Sequence, residues 1–78
     1  MLRILPNPSD GAFTFSLSSN IDENVRVVIT NMLGEKVEEF LTHTNLETYV
    51  QLNVPAGLYL INASTGNRKW VVKLVINP

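Results

Sequence analysis

The side chains that could perform hydrolysis are a few serines, one histidine and several aspartates. Ser9 or Ser64 could act as a nucleophile, His43 as a general base, and Asp10 or Asp22 as the group that orients the base. Neither serine lies in the Gly-x-Ser-x-Gly sequence that exposes a nucleophile on a sharp turn. A lone histidine in a threonine-rich stretch is more often solvated than catalytic. The sequence therefore predicts no catalytic residue, and we do not expect an enzyme.

Metal binding is the second chemistry that the residue types allow. Asp10, Asp22 and Glu23 could bind calcium if their loops converge, although their spacing is not that of an EF-hand loop. The chain has no cysteine and only one histidine, which excludes cysteine-ligated metal and leaves the histidine without a second nitrogen or sulfur ligand. We interpret the three acidic residues as solvated turn residues. No metal and no cofactor is expected.

Three aromatic residues could form a platform for a sugar ring. Trp70, Tyr49 and Tyr59 lie in stretches that alternate like β-strands, where aromatic side chains more often fill a core. Asn62 begins an Asn-Ala-Ser glycosylation sequence, but that stretch predicts a strand and not an exposed loop. Carbohydrate binding or adhesion stays open as a function for such a domain.

The composition indicates one small domain rich in strand-forming residues. Of 78 residues, 45% are hydrophobic and 17% are charged, which is too apolar for disorder. Fourteen residues are Val or Ile and only three are Ala, a balance that favours strands over helices. The net charge of −1 lacks the basic excess of a nucleic-acid-binding domain. We therefore expect an all-β domain that does not bind nucleic acid.

Alternation of apolar and polar residues predicts about seven strands, separated by turns rich in Pro, Gly and Asn. The predicted strands are residues 2–5, 12–18, 25–30, 35–41, 48–53, 58–64 and 69–77. In the second strand, Phe13, Phe15 and Leu17 share one face. Residues 42–47 are predicted to be a loop. Short strands with frequent turns favour a small antiparallel β-sandwich.

Four segments, in order along nearly the whole chain, are similar to the motifs of a known family. They are residues 5–11 (LPNPSDG), 25–37 (VRVVITNMLGEKV), 52–61 (LNVPAGLYLI) and 73–76 (KLVI). Leu5 stands where an aromatic residue is common, and Val54 where leucine is usual. Together the segments resemble the C-terminal sorting domain, type A, of the type IX (Por) secretion system of Bacteroidota.

The resemblance implies an immunoglobulin-like β-sandwich and a single domain, residues 1–78, at the C-terminus of a larger secreted cargo protein. It implies that the outer-membrane translocon and a shuttle protein recognise the domain in the periplasm of a Gram-negative bacterium. A sortase-like peptidase would then remove it, and the cargo would be released or attached to the cell surface. Residues 1–5 are too few for the apolar core of a signal peptide, so Met1 is expected to be an added start.

Individual residues of the motifs are also given roles, on physical grounds. Lys73, Val75 and Ile76 of the closing motif are expected to be recognised by the translocon, although core packing explains Val75 and Ile76 equally well. An unpaired edge of the last strand could also add a strand from a partner. The other motif residues are expected to shape turns and hold the fold: Pro6, Asn7, Pro8, Gly11, Gly34, Pro55, Gly57 and Tyr59.

Overall fold

The computed structural model describes residues 1–77 and contains seven β-strands. They are β1 Leu2–Leu5, β2 Ala12–Leu17, β3 Asn24–Thr30, β4 Lys36–His43, β5 Thr48–Gln51, β6 Gly57–Ser64 and β7 Lys69–Ile76. The strands form two antiparallel sheets, ordered β1-β2-β5 and β4-β3-β6-β7. The predicted all-β class and strand number are confirmed. Residues 1–77 include no helix with the length and apolar character needed to cross a membrane.

Both sheets contribute side chains to one hydrophobic core. The buried apolar residues are Ile4, Phe13, Phe15, Leu17, Val50, Leu52, Val25, Val27, Ile29, Tyr59, Ile61, Ala63, Leu74 and Ile76. Phe15 of β2 also meets Phe40 of β4 edge to face, with ring centroids 6.0 Å apart. Burying a side chain of this size stabilises the fold by about 1.5–3 kcal/mol. The alternation that placed Phe13, Phe15 and Leu17 on one inward face is confirmed.

The strand order is immunoglobulin-like, with the fourth strand on the second sheet. In a constant-type immunoglobulin sandwich, the fourth strand belongs to the sheet of the first, second and fifth strands. Here β4 pairs instead with β3, from Asn24 opposite His43 to Thr30 opposite Lys36. The sheets therefore have three and four strands, and β7 is an edge strand of the larger one.

The predicted loop at residues 42–47 is wrong at its start, because β4 continues through Thr42 and His43. Thr42 and Thr44 are buried, and both hydroxyl groups have partners. The hydroxyl oxygen of Thr42 lies 2.7 Å from that of Thr48, and Thr44 donates to a main-chain carbonyl at 2.7 Å. A buried hydroxyl with a hydrogen-bond partner carries little penalty, so this polar stretch can continue a strand.

The turns gather at two opposite ends of the sandwich. One end, which we call the motif end, holds the β1–β2, β3–β4 and β5–β6 turns and the last residues of β7. A hydrogen bond from the Asn77 N–H to the Ser9 carbonyl, 2.7 Å, joins two of these segments. The opposite end holds Met1 and the β2–β3 and β4–β5 loops, which are joined by a 3.0 Å bond from the Thr44 N–H to the Glu23 carbonyl. All four family-like segments thus reach the motif end.

Candidate functional site

At the motif end, the first turn is hydrogen-bonded along the outer edge of β7. The Asn7 amide donates to the Lys73 carbonyl at 2.8 Å and accepts from the Val75 N–H at 3.1 Å. Ser9 donates its N–H to the Val75 carbonyl at 2.8 Å and accepts from the Asn77 N–H at 2.7 Å. We call Asn7 and Ser9 the edge clamp. The prediction of an unpaired edge is therefore wrong for this half of β7.

The residue types in the first turn suit hydrogen bonding to the edge of β7. Pro6 and Pro8 have no N–H group, so the main chain around Asn7 has few donors to offer a neighbouring strand. The Asn7 side chain supplies both a donor and an acceptor in their place. Ser9 is only 2% exposed, and its hydroxyl donates to a main-chain carbonyl at 2.8 Å and accepts from the Gly11 N–H at 2.9 Å. The turn therefore holds its own shape while it binds β7.

Replacing Asn7 with alanine is expected to loosen the end of β7 without unfolding the domain. Two side-chain hydrogen bonds are lost, each contributing about 0.5–1.5 kcal/mol. Amide hydrogen exchange measured by NMR should become faster at Val75, relative to the exchange of the β3 amide of Val27. Asn53→Ala is the matched control, because Asn53 is exposed. Equal exchange at Val75 in both variants would contradict the role of the clamp.

Two glycines of the motifs have backbone conformations that other residues rarely adopt. Gly11 has a φ of 119°, and a Cβ atom there would lie 2.7 Å from the Leu52 carbonyl oxygen. The same two residues are joined by a 2.8 Å hydrogen bond from the Leu52 N–H to the Gly11 carbonyl. Gly34 has a φ of 86° in the β3–β4 turn, with open space around it. Gly34 therefore lies in a turn, as predicted, with a backbone conformation that glycine adopts easily.

The third motif closes the β5–β6 turn. Tyr59 is 6% exposed, and its hydroxyl donates to the Pro55 carbonyl at 2.6 Å. Gly57 begins β6 and pairs with Ile76 of β7. This motif therefore supports the terminal strand from its inner edge, while the edge clamp holds its outer edge.

The three residues predicted for recognition lie close together but differ in exposure. Lys73 and Val75 project to the outer face of the sheet, and Val75 is 37% exposed. Ile76 is 2% exposed and packs in the core. Recognition of Lys73 and Val75 by direct contact stays a prediction, whereas Ile76 would contribute to it through packing.

The candidate hydrolytic residues are not brought together. Ser9 and Asp10 lie in the first turn, at the motif end, and His43 ends β4 at the opposite end. Ser64 ends β6, which is separated from β4 by β3. Two strand spacings of about 4.8 Å put Ser64 outside hydrogen-bond reach of His43.

The candidate calcium ligands also lie apart. The Asp10 carboxylate accepts from a main-chain N–H in the first turn at 3.0 Å. Asp22 and Glu23 are in the β2–β3 loop, where the Asp22 carboxylate accepts from the Asn45 amide at 2.8 Å. Within residues 1–77, no three histidine or acidic side chains are arranged to hold a metal ion.

The three aromatic side chains do not share one surface. Tyr59 is in the core, Tyr49 is 68% exposed on β5 of the smaller sheet, and Trp70 is half-buried on β7. The Arg68 guanidinium lies over the Trp70 ring, 4.8 Å from its centroid. Asn62 lies within β6, as predicted, and its amide donates to a main-chain carbonyl of β3 at 3.2 Å.

The outer face of the larger sheet carries apolar and basic side chains in register. Across β3, β6 and β7, the outward residues include Val28, Leu58, Leu60, Asn62, Lys69, Val71, Lys73 and Val75. Val71 is 62% exposed and Leu58 is 36% exposed. Beside them is a groove of about 230 Å³, lined in part by Arg26, Asn62 and Lys69. We call this surface the β6–β7 face.

The charges of the larger sheet are divided between its two edges. On β4, Glu39 bonds to the side chains of both Lys36 and Arg26, and these cations, Lys36 first, hold the pKa of the Glu39 carboxyl below its usual value. At the β7 edge, Lys69 and Lys73 form no salt bridge within residues 1–77. Residues 48–78 contain no acidic residue. The β7 side of the sheet is therefore basic.

Sequence comparison identifies the family to which these motifs belong. A family model described as a secretion system C-terminal sorting domain matches residues 3–77, which include all four motif segments. No curated protein matches the chain. The chain belongs to the family of secretion system C-terminal sorting domains: it is a sorting signal of type IX secretion, found on secreted or cell-surface proteins of Gram-negative bacteria.

Proposed function

We propose that residues 1–78 are one sorting domain that follows a cargo protein and directs it from the periplasm through the type IX translocon of the outer membrane. The observation that carries this proposal is the family match over residues 3–77. The domain acts by being bound, and any catalytic activity belongs to the cargo. A shuttle protein of the outer membrane is the first partner. It is expected to bind Lys73 and Val75 directly, in the conformation of β7 that the packing of Ile76 maintains.

The positions of the two ends of the sandwich support separate sites for the cargo and for the secretion machinery. A polypeptide that precedes Leu2 would join at the opposite end, where Met1 bonds to Ser18. Lys73 and Val75 lie towards the motif end, and the longest extent of the molecule is 35 Å. The secretion machinery can therefore contact the terminal strand while the cargo stays on the far side of the domain.

The same geometry suits the proposed processing step. A sortase-like peptidase would cut the chain before Leu2, at the opposite end, and then release the cargo or attach it to the cell surface. Because this end is remote from the clamped half of β7, a bound translocon component would leave the cleavage point accessible. Cleavage and translocon binding can then occur on one molecule.

The proposal is tested by fusing residues 2–78 to a fluorescent protein that carries a signal peptide, in a bacterium with a type IX system. We expect fluorescence in the medium or on the cell surface for this fusion, and periplasmic fluorescence for a fusion that lacks residues 69–78. Because that truncation also removes Leu74 and Ile76 from the core, Val75→Ser is included as a variant that should keep the fold. Periplasmic retention of the intact fusion would contradict the proposal. Export of the truncated fusion would favour a binding module, such as a carbohydrate binder, over a signal.

A further inference from the structure

The β6–β7 face combines the two properties of a protein-binding surface, exposed apolar area and unpaired charge. Val71 and Val75 are 62% and 37% exposed on the terminal strand. Leu58 is the cross-strand neighbour of Val75, and Leu60 is the neighbour of Lys73. Apolar side chains held in such rows in a folded sheet bind a partner without first becoming ordered.

The charge of the face selects the chemistry of the partner. Lys69 and Lys73 project from β7 beside Val71, and neither has an acidic partner within residues 1–77. The groove next to them is bounded by Lys69 on β7 and by Arg26 on β3, with Ser64 of β6 between them and Asn62 two residues along the same strand. An acidic side chain that enters this groove would meet the unpaired Lys69 and the polar side chains of Ser64 and Asn62, because Arg26 is already paired with Glu39.

A protein suits this face better than an anionic lipid surface or a nucleic acid. Few cations lie on this face. Glu39 of β4 also projects from it, beside Val28 of β3. Glu39 is paired with Arg26 and Lys36, so a flat anionic surface would meet only the unpaired lysines of this face, whereas a protein can place acidic groups opposite them and apolar groups opposite the exposed valines.

The edge clamp determines how the partner can approach. The outer edge of β7 from the Lys73 carbonyl to the Asn77 N–H is already bonded to Asn7 and Ser9. A partner strand therefore cannot pair with β7 there while the clamp is closed. The exposed side chains of the same residues remain available, so the partner lies across the face and not along the edge.

We propose that the β6–β7 face docks a protein surface that is apolar at its centre and carries acidic side chains opposite Lys69 and Lys73. This inference rests on the proposed function, since it describes the chemistry of the outer-membrane component that reads the signal. Reversing either lysine charge is expected to weaken docking at least tenfold and leave the fold unchanged, because both side chains are exposed.

The test measures co-sedimentation of the 78-residue chain with outer-membrane vesicles from a bacterium with a type IX system. Protein-free vesicles made from the lipids of the same membrane are the second probe. The variants are Lys69→Glu and Lys73→Glu, with Arg3→Glu as the matched control, because Arg3 is exposed on β1 of the other sheet. Thermal unfolding of each variant checks the fold.

We expect binding to the native vesicles only, an at least tenfold loss of affinity for both lysine variants, and wild-type affinity for Arg3→Glu. Equal binding of the lysine variants, binding to the protein-free vesicles, or no binding to either would overturn the docking proposal. The fusion experiment decides the sorting function separately. An exported fusion whose domain binds independently of the two lysines would refute this face alone, and a retained fusion would refute the sorting function whatever the vesicles show.

Discussion

Replacing Phe15 with alanine is expected to remove a large part of the stability of the domain. The ring is fully buried in β2, the central strand of the smaller sheet, and meets Phe40 from the larger sheet. Truncation of a buried phenylalanine to alanine costs about 3–5 kcal/mol. A chain of 78 residues has about 4–12 kcal/mol of unfolding free energy in total. The variant should therefore lose at least about a quarter of its unfolding free energy.

Chemical denaturation followed by tryptophan fluorescence measures this loss, since Trp70 is the only tryptophan. Tyr49→Ala is the matched control, because Tyr49 lies on the neighbouring strand β5 but is 68% exposed. Its unfolding free energy should change by about 0.5–1 kcal/mol at most. Similar denaturation midpoints for the two variants would contradict the assignment of Phe15 to the core.

Replacing Gly11 with alanine is the second substitution with a large expected effect. A Cβ atom would lie 2.7 Å from the Leu52 carbonyl oxygen, and the hydrogen bond between the two backbones prevents them from moving apart easily. The unusual φ contributes about 1–3 kcal/mol and the overlap a further 1–3 kcal/mol or so. Loss of the contact between Gly11 and Leu52 should also make the first turn more mobile and weaken the edge clamp.

Substitutions at two other glycines separate the cost of the backbone conformation from the cost of the steric overlap. Gly34→Ala has a positive φ but nothing within 4 Å, so only the backbone penalty of about 1–3 kcal/mol is expected. Gly66→Ala has neither feature, and its unfolding free energy should change by about 1 kcal/mol or less. Unfolding free energies from urea denaturation should fall in the order Gly66→Ala, Gly34→Ala, Gly11→Ala. An equal loss at positions 34 and 11 would show that the contact with Leu52 is unimportant.

Most of the fold could be predicted from the sequence because the residue patterns that indicate strands and turns are local. Alternation in β2 and β3 determines which side chains face inward, and Pro and Gly mark the turns between strands. The error at Thr42 and His43 has a physical cause: a polar strand is recognisable only when the partners of its hydroxyl groups are known. The pairing of β4 with β3 is likewise a tertiary feature that no local pattern contains.

The edge clamp could not be predicted, since it joins residues far apart in the chain. Asn7 and Val75 are separated by 68 positions. The sequence suggests only that Asn7, between two prolines, lies in a turn. Its side chain has the donor and acceptor pair needed to satisfy a strand edge, but the identity of that edge depends on how the sheets pack. The division of exposed Lys73 and Val75 from buried Ile76, by contrast, follows the alternation along β7.

The clamp also connects the first and last motifs of the family in one physical unit. The first motif supplies Asn7 and Ser9, the last supplies the bonded edge of β7, and the third supports β7 through Gly57. The terminal strand therefore has a fixed shape only when the rest of the domain is folded. A partner that recognises this strand would therefore bind only a domain that has reached its native fold.

The central claim is that this domain sends an attached protein out through the type IX system. The most direct measurement is the exported fraction of the fluorescent fusion in two otherwise identical strains, one with the translocon and one without it. We predict export from the first strain and periplasmic retention in the second. Equal amounts of external fluorescence in the two strains, or retention in both, would contradict the claim.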